Sequence, residues 1–198
     1  MLREVTFELR PAEVLWLRGA NGSGKTTLLK ILAHVLRPTS GRISFDGTPL
    51  RPEHRGQIGF CAGNERSFHL RLSVRENLEI AGATQGLGRS RVAERLGEWQ
   101  ESLGLEVEAL LDQRASGLST GQRERIGLLR ALIHRPRIAL LDEPARSQDE
   151  AARAAMWRLL EAERARGLAL IVAAHEPPAL EGCVVRWLAD GTLREAPP

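Results

Sequence analysis

The sequence predicts an α/β domain with a mainly parallel sheet core and an inserted helical subdomain. Three observations predict it. Continuous apolar runs at Val14-Leu15-Trp16-Leu17, Ile138-Ala139-Leu140-Leu141 and residues 168–174 alternate with helix-length stretches, the pattern of parallel strands covered on both faces. The first run leads through a glycine-rich loop into a helical pattern, the strand–loop–helix context of a phosphate-binding turn. Residues from about 72 to 118 hold helical patches and no convincing strand, so they read as a helical insertion. The expected layout is one domain over residues 1–198, with a core of about 1–64 and 119–198 and a helical subdomain of about 65–118.

Residues 14–17 form the first buried strand, and Leu28, Leu29, Ile31, Leu32, Val35 and Leu36 mark the helix behind it. Arg37-Pro38-Thr39-Ser40-Gly41 is a turn. Arg42-Ile43-Ser44-Phe45 reads as a strand closed by Asp46-Gly47, a tight-turn pair. Ile58-Gly59-Phe60-Cys61 is another short strand. Helical patches at 74–81, 91–103 and 107–111 are joined by turns at Gly82 and Gly86-Leu87-Gly88. Residues 119–134 form a helix, 138–141 a buried strand, 150–167 a long helix ended by Gly167, and 168–174 a second buried strand. Residues 184–188 and 191–194 fit a hairpin that turns at Asp190-Gly191.

Composition sets the class. A chain of 198 residues with 42% hydrophobic and 27% charged residues is long enough to bury a core. No apolar stretch approaches the length of a membrane span, and the start Met1-Leu2-Arg3-Glu4-Val5 has no signal-peptide core. A cytoplasmic location is expected. Cys61 and Cys183 have no metal-type spacing and read as buried thiols. The net charge of +3 is spread among acids, with no basic stripe for nucleic acid. Of the 28 basic residues only Lys25 and Lys30 are lysine, which sets Lys25 apart.

Three segments carry chemistry. Gly19-Ala20-Asn21-Gly22-Ser23-Gly24-Lys25-Thr26-Thr27 fits G-x-x-x-x-G-K-[ST]. Its glycines let backbone N–H groups wrap a phosphate, and the helix behind aims its positive end at the same anion. Lys25 reaches the β- and γ-phosphates and Thr26 offers a hydroxyl to Mg²⁺. Leu140-Leu141-Asp142-Glu143-Pro144 puts acids at the carboxyl end of a buried strand, where ligands of parallel sheets bind. Asp142 is expected on Mg²⁺, and Glu143 facing the γ-phosphate and polarising the attacking water. In Leu118-Ser119-Thr120-Gly121-Gln122, Ser119 and Gln122 form a capping box. Its hydroxyl, glycine N–H and helix end make a second anion site.

These three segments, in this order, resemble the nucleotide-binding subunit of an ABC-type ATPase, a P-loop NTPase, over essentially the whole chain. The family signature is usually Leu-Ser-Gly-Gly-Gln, and Thr120 stands for its first glycine. The resemblance implies ATP and Mg²⁺ as cofactors. It implies a head-to-tail homodimer or heterodimer around two ATP, each held between one subunit's loop and the other's signature. Ser119, Gly121 and Gln122 are then assigned to the γ-phosphate bound by the partner. His175 matches the switch histidine, and Asp149 the last residue of the D-loop, although Arg146-Ser147-Gln148 departs from the usual Ser-Ala-Leu. The Q-loop position falls on Asn64 or Glu65, either of which can offer an oxygen to Mg²⁺, and neither of which is glutamine. The family's adenine-stacking aromatic has no counterpart here. The chain has no tyrosine, and Phe7 and Trp16 read as core residues on strands, so weak discrimination between ATP and GTP is expected.

The same resemblance implies an integral-membrane permease as partner, no nucleic acid, and a peripheral position on the inner face of the membrane. The permease is expected to dock around residues 65–81, with some of Phe68, Leu70 and Leu72 exposed there; the alternative is that all three fill the core of the helical insertion. Chain length and the signature resemble the haem-exporter ATPases of cytochrome c maturation. Other classes fit less well. DNA-repair members carry long coiled-coil insertions, and translation-factor members carry two such domains. A nucleotide-gated module without hydrolysis would not need Lys25, Asp142, Glu143 and His175 together.

Overall fold

The computed structural model describes residues 2–62, 68–103 and 105–197. Strands β1 (Val14–Arg18), β4 (Ile58–Cys61), β5 (Ile138–Asp142), β6 (Ala169–Ala173), β7 (Val184–Ala189) and β8 (Thr192–Arg194) form one sheet. Their spatial order is β4-β5-β6-β1-β7-β8. All neighbours pair in parallel except β7 and β8, which form the expected hairpin. A separate two-stranded ribbon joins β2 (Ser44–Phe45) to β3 (Thr48–Pro49) through Asp46 and Gly47 at positive φ, the geometry of a tight hairpin turn. It is shorter than the strand read over 42–45.

Period-two alternation divides the apolar residues between two layers. Leu15, Leu17, Leu140, Ile171 and Ala173 pack with Leu28 and Leu29 of helix α1 (Lys25–Leu32). Val14, Ala139, Leu141, Leu170 and Val172 face the larger core. There they meet α5 (Thr120–Leu132) and α6 (Glu150–Ala165), supported by the insertion helices α2 (Val74–Ala83), α3 (Arg89–Leu103) and α4 (Leu105–Leu110). Among the described residues no strand lies between β4 and β5. The insertion is tied to the core at Trp99, which is 1% exposed and donates its indole N–H to Glu163 Oε1 of α6 at 2.9 Å. Removing such a side chain costs about 3–5 kcal/mol.

Four expectations need correction, and a fifth is untested. Helix α1 stops at Leu32, because His34 turns left-handed at φ +58°. The Val35 and Leu36 N–H groups then close on the Lys30 carbonyl, and both side chains turn outward at 60% and 42% exposure. Phe7 is on no strand, although Val5, Phe7 and Leu9 keep the alternation and pack on the α1 layer. Phe68 is a core residue, 7% exposed, with the Arg130 guanidinium 4.8 Å over its ring. Cys61 is buried, but Cys183 is only partly so, and burial still pushes its thiol up. Finally, the Asn64 and Glu65 expectation lies outside the described residues.

Candidate functional site

The loop of residues 19–24 leaves the carboxyl end of β1, in the middle of the sheet. Gly19 is the position with no room for a side chain. Its φ is +154°, and a Cβ would stand 2.4 Å from the Leu188 carbonyl oxygen of β7. Helix α1 starts directly behind the loop, after Gly24 at φ +107°, so its unpaired N–H groups and positive end face the loop. Lys25 is 8% exposed, and its Nζ donates to the carbonyls of Gly19 at 2.7 Å and Ala20 at 3.1 Å. Among the described residues it has no carboxylate partner. A buried ammonium held only by carbonyls leaves a surplus of positive charge that an anion would balance. Ala20, Asn21, Gly22, Thr26 and Thr27 are exposed around it, with Ser23 partly buried.

The acids arrive from β5. Asp142 is the last residue of that strand and is 8% exposed. Its Oδ2 accepts the Thr26 hydroxyl at 2.6 Å. Glu143 follows at φ +48°, a left-handed backbone that costs a non-glycine residue about 1–2 kcal/mol. Its N–H donates to the Ala173 carbonyl of β6 at 2.8 Å, which ties this turn to the neighbouring strand. His175, just past β6, approaches from the other side. Its Nε2 lies 2.9 Å from Asn21 Oδ1 and 3.6 Å from Glu143 Oε1. An amide oxygen can only accept, so Nε2 carries the proton in that contact. Lys25, Thr26, Asp142, Glu143 and His175 therefore meet at the carboxyl ends of three adjacent parallel strands.

Ser119, Gly121 and Gln122 lie elsewhere. Ser119 accepts the Gln122 N–H at 3.2 Å and donates its own to Gln122 Oε1 at 2.8 Å, the capping box expected for α5. A Cβ on Gly121 would stand 2.4 Å from the Ser147 carbonyl oxygen. Asp149 accepts the Ala152 N–H at 2.8 Å and caps α6. Among the described residues no hydrogen bond joins this group to the loop of the same chain. Sequence reasoning missed Glu124. It is 5% exposed on α5 and accepts the Ser147 N–H at 2.9 Å, so it fixes the turn against Gly121. The available signal was an acid on the apolar side of an amphipathic helix.

A glycine loop on the central strand, acids at the tip of the next but one and a histidine after the strand between them define a P-loop nucleotide-binding protein. The family described as ABC transporter matches residues 2–146. The chain is 35% identical over 151 residues to the ABC transporter ATP-binding protein NatA of Bacillus subtilis, covering 75% of this chain and 61% of that one. It is 34% identical over 179 residues to the cytochrome c biogenesis ATP-binding export protein CcmA of Bordetella parapertussis, covering 87% of this chain and 76% of the relative. Among solved structures, MJ0796, a bacterial ABC transporter cassette in dimeric form, superposes with a TM-score of 0.81 at 26% identity, covering 97% of this chain and 88% of that one. The chain belongs to the ABC transporter family, and it spans about half to three fifths of the length of the two Bacillus subtilis relatives it matches.

Proposed function

We propose that this chain is the ATPase subunit of a transporter, dimerising around two ATP and driving a separate membrane permease. The observation that carries the reading is the convergence of Lys25, Thr26, Asp142, Glu143 and His175 on one loop while Ser119–Gln122 stands apart from it. Each half-site lacks what the other half carries, so a head-to-tail pair would complete two sites. The dimeric form of MJ0796 supports this.

The residues fit both ATP and Mg²⁺. The Gly19 cradle has no room for a Cβ. The Thr26 hydroxyl and the Asp142 carboxylate, 2.6 Å apart, are hard oxygen donors. Among the described residues no cluster of three or more metal-ligating side chains exists. That suits Mg²⁺, which is held by one or two protein oxygens with phosphates and water. Bound there, it would neutralise charge developing on the phosphates. Lys25 releases its loop carbonyls to pair with the β/γ-phosphates. Glu143 accepts a proton from the attacking water, and His175 orients that water together with Asn21.

For the permease contact we propose the cleft of about 710 Å³ between β4, α2 and α5, lined by Phe60, Asn77, Ile80, Arg130 and His134 among others. Ala62, just past the end of β4, also lines this cleft. No helix among the described residues is long and apolar enough to cross a membrane. A peripheral place on the inner face, through the permease, fits that. Within this reading we propose haem export for cytochrome c maturation, supported by the alignment with CcmA along most of both chains.

The test is light scattering of Glu143→Gln with ATP and Mg²⁺. The account expects a dimer with ATP and a monomer with ADP. A monomer under both conditions would overturn the shared-site reading.

A further inference from the structure

An open cleft of about 740 Å³ runs from the phosphate loop to the β7–β8 hairpin. Asn21, Gly22 and Ser23 form one wall, Trp187 and Asp190 the other, and Arg3 lies at the rim. The cleft is continuous with the loop that surrounds Lys25. A nucleotide with its phosphates on Lys25 therefore has this cleft beside its sugar and base.

Two features prepare the cleft for a base. The Trp187 indole is fixed in place: β1 and β7 pair with Arg18 opposite Trp187. The Arg18 guanidinium lies 4.1 Å over the Trp187 ring and 4.5 Å over Trp16. Trp16 is itself anchored by its indole N–H, which donates to the Ala174 carbonyl at 2.9 Å. Among the described residues no other ring or cation stacks on Trp187. The second feature is the Ser23 hydroxyl. Its oxygen is buried and has no hydrogen-bond partner among the described residues. It lies 2.7 Å from where a Cβ on Gly19 would stand, at the junction of loop and cleft. A buried hydroxyl without a partner is unfavourable, and a sugar hydroxyl or a phosphate oxygen would satisfy it.

We propose that Trp187 is the base platform of the nucleotide site, with a purine stacked on its indole and Ser23 bonding the sugar or the nearest phosphate. The proposal rests on the reading of residues 19–27 as an ATP loop. Stacking does not distinguish one purine from another, so adenine and guanine nucleotides share the platform. An aromatic platform of this kind contributes about 5- to 150-fold in affinity.

Calorimetry with Mg²⁺ complexes of ATP, GTP and tripolyphosphate separates base from phosphate. Trp187→Leu should weaken ATP and GTP at least about tenfold and leave tripolyphosphate unchanged, and Trp187→Phe should restore most of the loss. A second measurement does not depend on the leucine variant folding. ATP should quench indole fluorescence in the wild type, tripolyphosphate should not, and the ATP quench should vanish in Trp187→Phe. Unchanged ATP affinity in Trp187→Leu, an equal loss for ATP and tripolyphosphate, or a quench that persists in Trp187→Phe would overturn the platform. A wild type that binds neither ATP nor tripolyphosphate would overturn the phosphate-loop reading as well. Tight tripolyphosphate binding without any base effect would overturn the platform alone.

Discussion

Thr26 donates its hydroxyl proton to Asp142 Oδ2 at 2.6 Å, joining residues 116 positions apart in the chain. One belongs to the first turn of α1, the other to the last position of β5. The contact exists because β1 and β5 flank β6 in a parallel sheet and end on the same side. It places two oxygens where an ion between loop and strand would need them.

Asp142→Asn keeps the shape and a hydrogen-bonding oxygen for Thr26 but removes the charge. Mg²⁺-dependent ATP turnover should fall about 100-fold or more, with little change in melting temperature. A steady-state ATPase titration with Mg²⁺ checks this. Undiminished Mg²⁺ dependence would remove Asp142 from the ion site.

Lys25→Ala should weaken ATP about 10- to 100-fold, the range of hydrogen bonds to a charged group. Lys25→Arg should not restore it, because the Gly19 and Ala20 carbonyls enclose a compact ammonium and not a planar fork. Calorimetry measures both variants. Equal ATP affinity in wild type and Lys25→Ala would contradict the assignment.

The burial of Phe68 moves the docking prediction to other residues. Phe68→Glu should cost at least about 3 kcal/mol and lower the melting temperature by roughly 10 °C. Leu70 and Ile80 are 49% and 38% exposed. Ile80→Glu should therefore keep the fold and the basal ATPase while releasing the chain from a co-expressed permease. Retained permease in that variant would exclude the cleft as the dock.

His134 supplies a pH dependence. Burial holds its imidazole below the ordinary value of 6.5. The folded chain thus binds its proton less readily than the unfolded chain. Stability from this group is intact above the unfolded value and is lost as pH falls through it toward the folded one. Wild type should lose more melting temperature than His134→Gln between about pH 7.5 and about pH 5.5. Equal losses would show that His134 does not contribute.

The legible parts of this protein are those where local pattern and tertiary role coincide. β1, β5 and β6 are buried on both faces, so their apolar runs are unbroken until Asp142. The Ser119–Gln122 box caps α5 within four residues, and Asp190-Gly191 turns its hairpin at positive φ. What escaped depends on distant partners. Phe68 looked like a candidate for exposure because Arg130, which covers its ring, comes from α5. Val35 and Leu36 continue a helical period, but His34 ends the helix by backbone conformation, which the pattern does not carry. Trp187 read as an ordinary strand residue. Only the pairing of β7 with β1 places it against Arg18 and beside the loop.

The most direct test of the central claim, that this constellation hydrolyses ATP, is single-turnover hydrolysis by Glu143→Gln. The amide keeps the size of the side chain but cannot take a proton from water. The account predicts ATP affinity near that of the wild type and hydrolysis slowed about 100- to 10,000-fold. Hydrolysis within about twofold of the wild type would mean that Glu143 is not the base, and would contradict the site described for this chain.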